Sequence, residues 1–270
     1  MNRSSFLRFV LVGLLLGLSG CSQVDVSGRK QFNFVPDSVM NSMSFQSYSE
    51  FLGKNKLSTD TKQADQVKRV GERIATAVET FCQERGCMDR LKGYKWEFNL
   101  VEDKAVNAWA MPGGKVVVYT GLLPVAQNET GLAVVMGHEI AHAFAKHGAE
   151  RMSQGLLVNF GGMALSVALK EQPEQTKNLF LKSYGTGTQV GIMLPFSRLH
   201  ESEADRLGLV FMAMAGYDPQ AAVDFWGRMA ASKDDKNKPL EILSTHPADE
   251  TRIKNLKKHM PEAMSYYTGR

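Results

Sequence analysis

Long apolar runs are missing from this sequence. A helix that crosses a bilayer needs about 20 predominantly apolar residues, and the longest uninterrupted stretch, Phe9 to Leu18, has about half that. A multi-span membrane protein is excluded. A second apolar stretch, 155–169, is interrupted by Asn159 and reads as buried helix. An excess of one charge is also lacking. The formal net charge is +4, half of it from Arg3 and Arg8, so no phosphate-neutralising surface is present and nucleic acid is not an expected partner. Cysteine is scarce, 3 residues in 270, which leaves too few thiols for a four-cysteine zinc module. No fixed-period repeat occurs, and a helical-repeat array is excluded. What remains, 43% hydrophobic and 22% charged, is the composition of a globular protein with one sizeable core.

Arg3 and Arg8 before the short apolar run give residues 1–20 the form of a secretory signal peptide. The sequence Leu18-Ser19-Gly20-Cys21 resembles a bacterial lipobox, in which Cys21 is lipidated and opens the mature chain. Ser22 in place of an aspartate favours the outer membrane. The expected setting is therefore periplasmic and lipid-anchored, with residues 21–58 a lipidated N-terminus and irregular tether and 59–270 the catalytic domain. In an oxidising compartment Cys82 and Cys87 suggest a disulfide between a helix end and the turn after it.

Beyond the tether, Val67, Val70, Ile74, Ala77, Val78 and Phe81 recur at intervals of three and four, which predicts an amphipathic helix capped by Asp60. Trp96, Phe98 and Leu100 then alternate with polar residues, the period of a half-buried strand. Two extended runs flank Pro112-Gly113-Gly114 and predict a hairpin. After Asn128, a second expected cap, helical patterns dominate, with breaks at Gly216 and before Pro239.

The chemistry lies in "VVMGHEIAHAFAKHG", residues 134–148. On a helix His138 and His142 sit one turn apart on one face and can aim imidazole nitrogens at one point about 2 Å from both. Glu139 faces the same point from the side, where it can deprotonate a water. Two satisfied core histidines would leave the adjacent buried glutamate unexplained. His147, five residues past His142, points about 140° round the same helix and is expected at its surface or end. A catalytic zinc needs a third protein ligand. On a second helix, capped by Ser197 and ended by Gly216, Glu201 and Asp205 share a face: a glutamate suits the third ligand, and an aspartate one turn on can hold a ligand histidine. His200 and Glu203 point about 100° and 200° away from that pair and are expected outside the constellation.

These motifs, with Asn107 to Gly114, Ser197-Arg198, Ala204-Asp205, Thr245-His246-Pro247 and Glu250-x-Arg252, resemble metallopeptidase family forty-eight, the HtpX and CAAX prenyl endopeptidase family. Of the periplasmic LoiP- and BepA-like proteases of that family, the chain is most similar to the LoiP-type lipoproteins, since it has no multi-span region like the prenyl endopeptidase and no C-terminal repeat array like BepA. The resemblance implies an α+β, mostly helical gluzincin fold, thermolysin-like, with a small sheet packed on two metal-binding helices. It implies one Zn2+ per chain on His138, His142 and Glu201, with Glu139 as general base and Asp205 orienting a histidine. It also implies that Asn107 and Ala108 lie on the strand edge that receives substrate backbone. His246 is implied to lie near the metal, either donating to an oxyanion or binding as a fourth ligand that keeps the enzyme latent.

The expected function is thus a zinc endopeptidase of the bacterial envelope, acting on misfolded or unassembled envelope proteins and tethered to the membrane by its lipid. Two alternatives stand beside it. One is a periplasmic chaperone or assembly factor with largely latent proteolysis, for which the Gly-rich stretch 184–196 would be a lid. The other is an inactive structural zinc lipoprotein.

Overall fold

The computed structural model describes residues 21–24, 27–160, 173–184, 197–231, 241–246 and 249–269. The expected leader, most of the Gly-rich stretch 184–196, the second half of 155–169 and Pro239 lie outside them. The described residues open with a two-stranded hairpin, β1 (Cys21–Gln23) and β2 (Lys30–Phe32), followed by helix α1 (Asp37–Lys54) and helix α2 (Thr61–Arg85). Strands β3 (Glu97–Val101), β4 (Ala108–Met111) and β5 (Lys115–Tyr119) come next. The remainder is helical: α3 (Leu123–Ala126), α4 (Glu129–Phe144), α5 (His147–Phe160), α6 (Pro173–Tyr184), α7 (Arg198–Met214), α8 (Ala221–Ala231), α9 (Glu241–Thr245) and α10 (Glu250–Met264). The fold is α+β and mostly helical, as expected. No helix among the described residues is long and apolar enough to cross a membrane.

The three-stranded sheet has the order β3-β5-β4, with β3 parallel and β4 antiparallel to β5. The β4–β5 hairpin turns at Gly113 and Gly114, both at positive φ, a conformation open to glycine without strain. Alternation along the strands sends Phe98, Leu100, Ala108, Ala110, Val116 and Val118 to one face and Val101, Trp109, Met111, Val117 and Tyr119 to the other. The first face packs in one core with α2, α4 and α7; the second packs with α1, α5 and α6. β5, covered on both sides, is buried along its whole length.

The structure corrects the reading of residues 21–58 as an irregular tether. The 18-residue helix α1 packs Met40 and Tyr48 into the second core, and Tyr48 and Phe51 stack edge-on against Trp109. Its buried face also carries Asn41, Ser44 and Ser47, so helical burial is present without an apolar period. The caps at Asp60, Asn128 and Ser197 form as expected, each side chain accepting a backbone N–H three residues on. The expected bond between Cys82 and Cys87 is not formed, although both side chains are buried. That turn is closed by backbone instead: Gly86, at φ 70°, and Cys87 both donate to the Cys82 carbonyl oxygen, an αL helix ending.

The two helices that matter for the site meet at glycines. A Cβ on Gly208 of α7 would lie 3.0 Å from the His138 nitrogen and 3.1 Å from the Gly137 carbonyl carbon, and one on Gly137 would lie 3.1 Å from the Gly208 oxygen. α4 and α7 therefore touch backbone to backbone next to the first histidine of the motif.

Candidate metal centre

α4 is buried on all sides from Gly131 to Phe144, as a helix apolar around its circumference must be. Against that background His138 and His142 present their Nε2 atoms 3.1 Å apart. Glu201, in the first turn of α7, brings Oε1 to 3.2 Å from His142 Nε2 and Oε2 to 3.5 Å from His138 Nε2. His246, just beyond α9, sets its Nδ1 3.1 Å from His138 Nε2 and 2.9 Å from Glu201 Oε1. All four side chains are buried, and their donor atoms lie within 4.8 Å of one another.

These separations fit a tetrahedral ion. Ligands about 2.0–2.1 Å from zinc stand about 3.3 Å from each other, close to the pair distances of 2.9–3.5 Å above. Converging imidazole nitrogens and a carboxylate, with no cation among them, would repel, and burial would magnify the effect. One carboxylate oxygen sharpens the case: Glu139 Oε1 is buried and makes no hydrogen bond, with His246 Nε2 3.4 Å away. The donor set, three imidazoles and a carboxylate, suits zinc.

The surroundings hold the ligands in place. Asp205 Oδ1 lies 2.9 Å from His138 Nδ1, and Arg252 clamps Asp205 through Nε at 2.9 Å and Nη2 at 2.7 Å. The guanidinium of Arg252 also lies 3.2 Å over the Trp226 ring and 3.2 Å from Glu201 Oε2. Burial pushes Glu139 up to about 7, a value suited to exchanging protons near neutrality. Burial also drives His142 well below its ordinary value. For Glu201 the opposing effect of burial is outweighed by His246 and His138, which hold it well below the carboxylate range.

The structure thus brings His138, Glu139, His142, Glu201, Asp205 and His246 into one buried site. Asn107 and Ala108 stand at the start of β4, which has no strand on its outer side among the described residues; both are buried, and Asn107 Oδ1 accepts from the Ala108 N–H. Ile242 of α9 donates its backbone N–H to the Val106 oxygen at 3.1 Å, so the segment bearing His246 rests beside that edge. Cys21 opens β1, far in sequence from the site.

His147 is where extrapolation along the helix fails. It is fully buried, with Nδ1 2.9 Å from His142 Nδ1 and Nε2 2.8 Å from Glu203 Oε2. α4 ends at Phe144, and Lys146, at φ 58°, turns the chain so that His147 swings back under His142. His200 and Glu203 stay out of the Glu201 constellation, as the helix angles required, but join His147, Glu150 and Arg29 in a second buried group. Sequence reasoning missed that group because its members lie as much as 174 residues apart.

A His-Glu-x-x-His helix joined by a glutamate from a second helix defines the gluzincin class of zinc peptidases. The sequence pattern of Peptidase family M48 matches residues 61–260, and the chain belongs to that family. It carries that family's zinc metalloendopeptidase machinery. Among its relatives, the mitochondrial metalloendopeptidase OMA1 of Schizosaccharomyces pombe is 34% identical over 89% of this chain and 66% of its own length. The protein of the same name from Saccharomyces cerevisiae is 36% identical over 66% of this chain and 50% of its own. The beta-barrel assembly-enhancing protease of Escherichia coli is 34% identical over 58% and 33%. The chain spans less than two thirds of the length of each.

These relatives overturn the periplasmic, outer-membrane location expected from the sequence, because the two that cover more of the chain, 89% and 66% against 58% for the Escherichia coli protein, are mitochondrial proteins. They do not single out the lipoprotein subgroup within the family.

Proposed function

We propose that this protein is a zinc-dependent endopeptidase that cuts extended segments of unfolded or unassembled proteins. One observation carries the reading: His138, His142 and Glu201 converge beside Glu139, a buried carboxylate whose Oε1 makes no hydrogen bond. Zinc held there supplies a Lewis acid that polarises a peptide carbonyl and acidifies water. Glu139 takes the proton from the attacking water and passes it to the leaving amine nitrogen, a transfer matched to its raised pKa. Asp205, clamped by Arg252, keeps the His138 proton on Nδ1 and its Nε2 lone pair toward the metal.

The outer edge of β4, beginning at Asn107 and Ala108, offers main-chain groups to an extended segment, a mode that reads backbone more than side chains and so suits unfolded substrates. The names of the relatives, metalloendopeptidase and beta-barrel assembly-enhancing protease, support peptide-bond cleavage linked to protein assembly. Digestion of unfolded casein by the zinc-loaded protein, abolished by a chelator and restored by zinc, is the expected result. Zinc-loaded protein that cleaves no unfolded substrate sinks the proposal.

The position of His246 favours a second reading alongside the first, in which proteolysis is held in reserve. Its Nδ1 takes the fourth corner of the ligand set, where an open catalytic site would admit water, which supports the fourth-ligand role over oxyanion donation.

A further inference from the structure

Five of the six histidines lie in one continuous buried body, yet only three of those five face the metal. The other two, His147 and His200, stack face to face at 4.4 Å with an 18° angle between their planes. The bonds around them run in one direction. His142 turns Nε2 toward the metal ligands, so its lone pair is there and its proton is on Nδ1. That N–H points at His147 Nδ1, 2.9 Å away, which must therefore accept. The His147 proton is then on Nε2 and donates to Glu203 Oε2 at 2.8 Å.

Glu203 is itself fixed by the N-terminal segment. Arg29 donates to it through Nε at 3.0 Å, and Ser27 Oγ donates to its other oxygen. The rest of the Arg29 guanidinium pairs with Glu150 at 2.9 and 2.8 Å, and Glu150 Oε2 meets His200 Nε2 at 3.1 Å. The guanidinium bridges the two carboxylates, so this group is an ion-paired clamp rather than a second metal site. The two ligand histidines of α4 are thus held differently: His138 meets its carboxylate directly, whereas His142 reaches one through a second imidazole.

We propose that His147 is a positioning residue for the metal centre, setting the tautomer and ring angle of His142, and that the segment Ser27–Arg29 locks it in place through Arg29 and Glu203. This rests on the zinc reading of the site.

The test uses the full chain, with zinc affinity measured by competition against a chromogenic chelator and ligand geometry by the visible absorption of the Co2+-substituted protein. His147→Leu fills the volume without an acceptor; it should weaken zinc by about 10 to 100-fold, the usual size for loss of such a partner, and alter the cobalt bands. His147→Asn offers an oxygen where Nδ1 stood and should recover affinity to within several-fold. Arg29→Met should fall between them. The proposal is overturned if His147→Leu keeps wild-type zinc affinity and cobalt spectrum, or if the asparagine variant is as weak as the leucine one. Should the leucine variant not fold, the other two decide: wild-type affinity and spectrum in Arg29→Met remove the lock, and a His147→Asn protein that loses zinc by 10-fold or more removes His147. Wild-type protein that takes up no zinc at all overturns the metal reading itself.

Discussion

Adding one methyl group at Gly208 should disturb both the fold and the metal. The new Cβ would sit 3.0 Å from the His138 nitrogen and 3.1 Å from two carbons of the Gly137–His138 backbone. Carbon atoms at rest stand about 3.5–4.0 Å apart, so the overlap is about half an ångström. The atoms it meets are helix backbone and cannot rotate away; α4 and α7 must separate. Alanine contributes about 1 kcal/mol over glycine as a helix former, while overpacking costs about 1–3 kcal/mol, which leaves a net loss of about 0–2 kcal/mol. Gly227, exposed on α8 with open space within 4 Å of where its methyl group would stand, is the control, and there the same change should stabilise by about 0.5–1 kcal/mol. Urea unfolding of both zinc-free variants measures the difference, about 1–3 kcal/mol. Zinc tolerates ligand shifts of only about 0.2 Å, so Gly208→Ala should also weaken binding by on the order of tenfold while Gly227→Ala leaves it unchanged. A Gly208→Ala protein as stable as the Gly227 variant, with wild-type zinc affinity, would refute the backbone contact as the device that sets ligand spacing.

Glu139→Gln should retain zinc but lose casein cleavage by about 10²–10⁴-fold, measured as turnover at matched metal content; near-normal turnover removes Glu139 from proton transfer. In the zinc-free protein Glu139 has its folded pKa raised to about 7 from 4.5, so the stability it contributes is complete below about pH 4.5 and is lost as pH rises through 7. Wild type should therefore weaken relative to Glu139→Gln across that window, by up to about 3 kcal/mol, and parallel pH profiles in unfolding experiments would contradict the burial argument. Glu201→Gln should weaken zinc far more than Asp205→Asn, which should lose about 10 to 100-fold; metal content by atomic emission decides, and the reverse order would misplace the third ligand. If His246 is a fourth ligand, His246→Ala should raise cleavage of a short fluorogenic peptide, whereas an oxyanion donor would lower it.

The parts of this molecule that are legible in the sequence are local. Caps at Asp60, Asn128 and Ser197 depend on residues three apart, the hairpin on two glycines, and the His138/His142 pair on one helical turn. Helix α1 escapes notice because three of its five buried residues are serine or asparagine, which hydropathy counts as exposed. The role of His147 escapes because a single left-handed residue, Lys146, follows the end of the helix along which its direction is extrapolated. Glu201 can be chosen over Glu203 from helix angles, but nothing short-range announces that Glu203 meets Arg29 across 174 residues. Arg252 stands in a motif of the resemblance, yet its grip on Asp205 and Trp226 emerges only in three dimensions.

The long reach from Arg29 to Glu203 has a consequence in time. A ribosome adds about 5–20 residues per second, so Glu201 emerges roughly 3–12 seconds after His142. During that interval the nascent chain can offer zinc only the two histidines of α4, and Arg29, made earlier still, has no carboxylate at Glu203 to meet. Ligand set and clamp become complete only after α7 has been made and docked, since Glu201 and Glu203 both lie on it. Metal capture is thereby delayed until α7 has docked, and tightly held zinc becomes a record that segments made well apart in time have found each other.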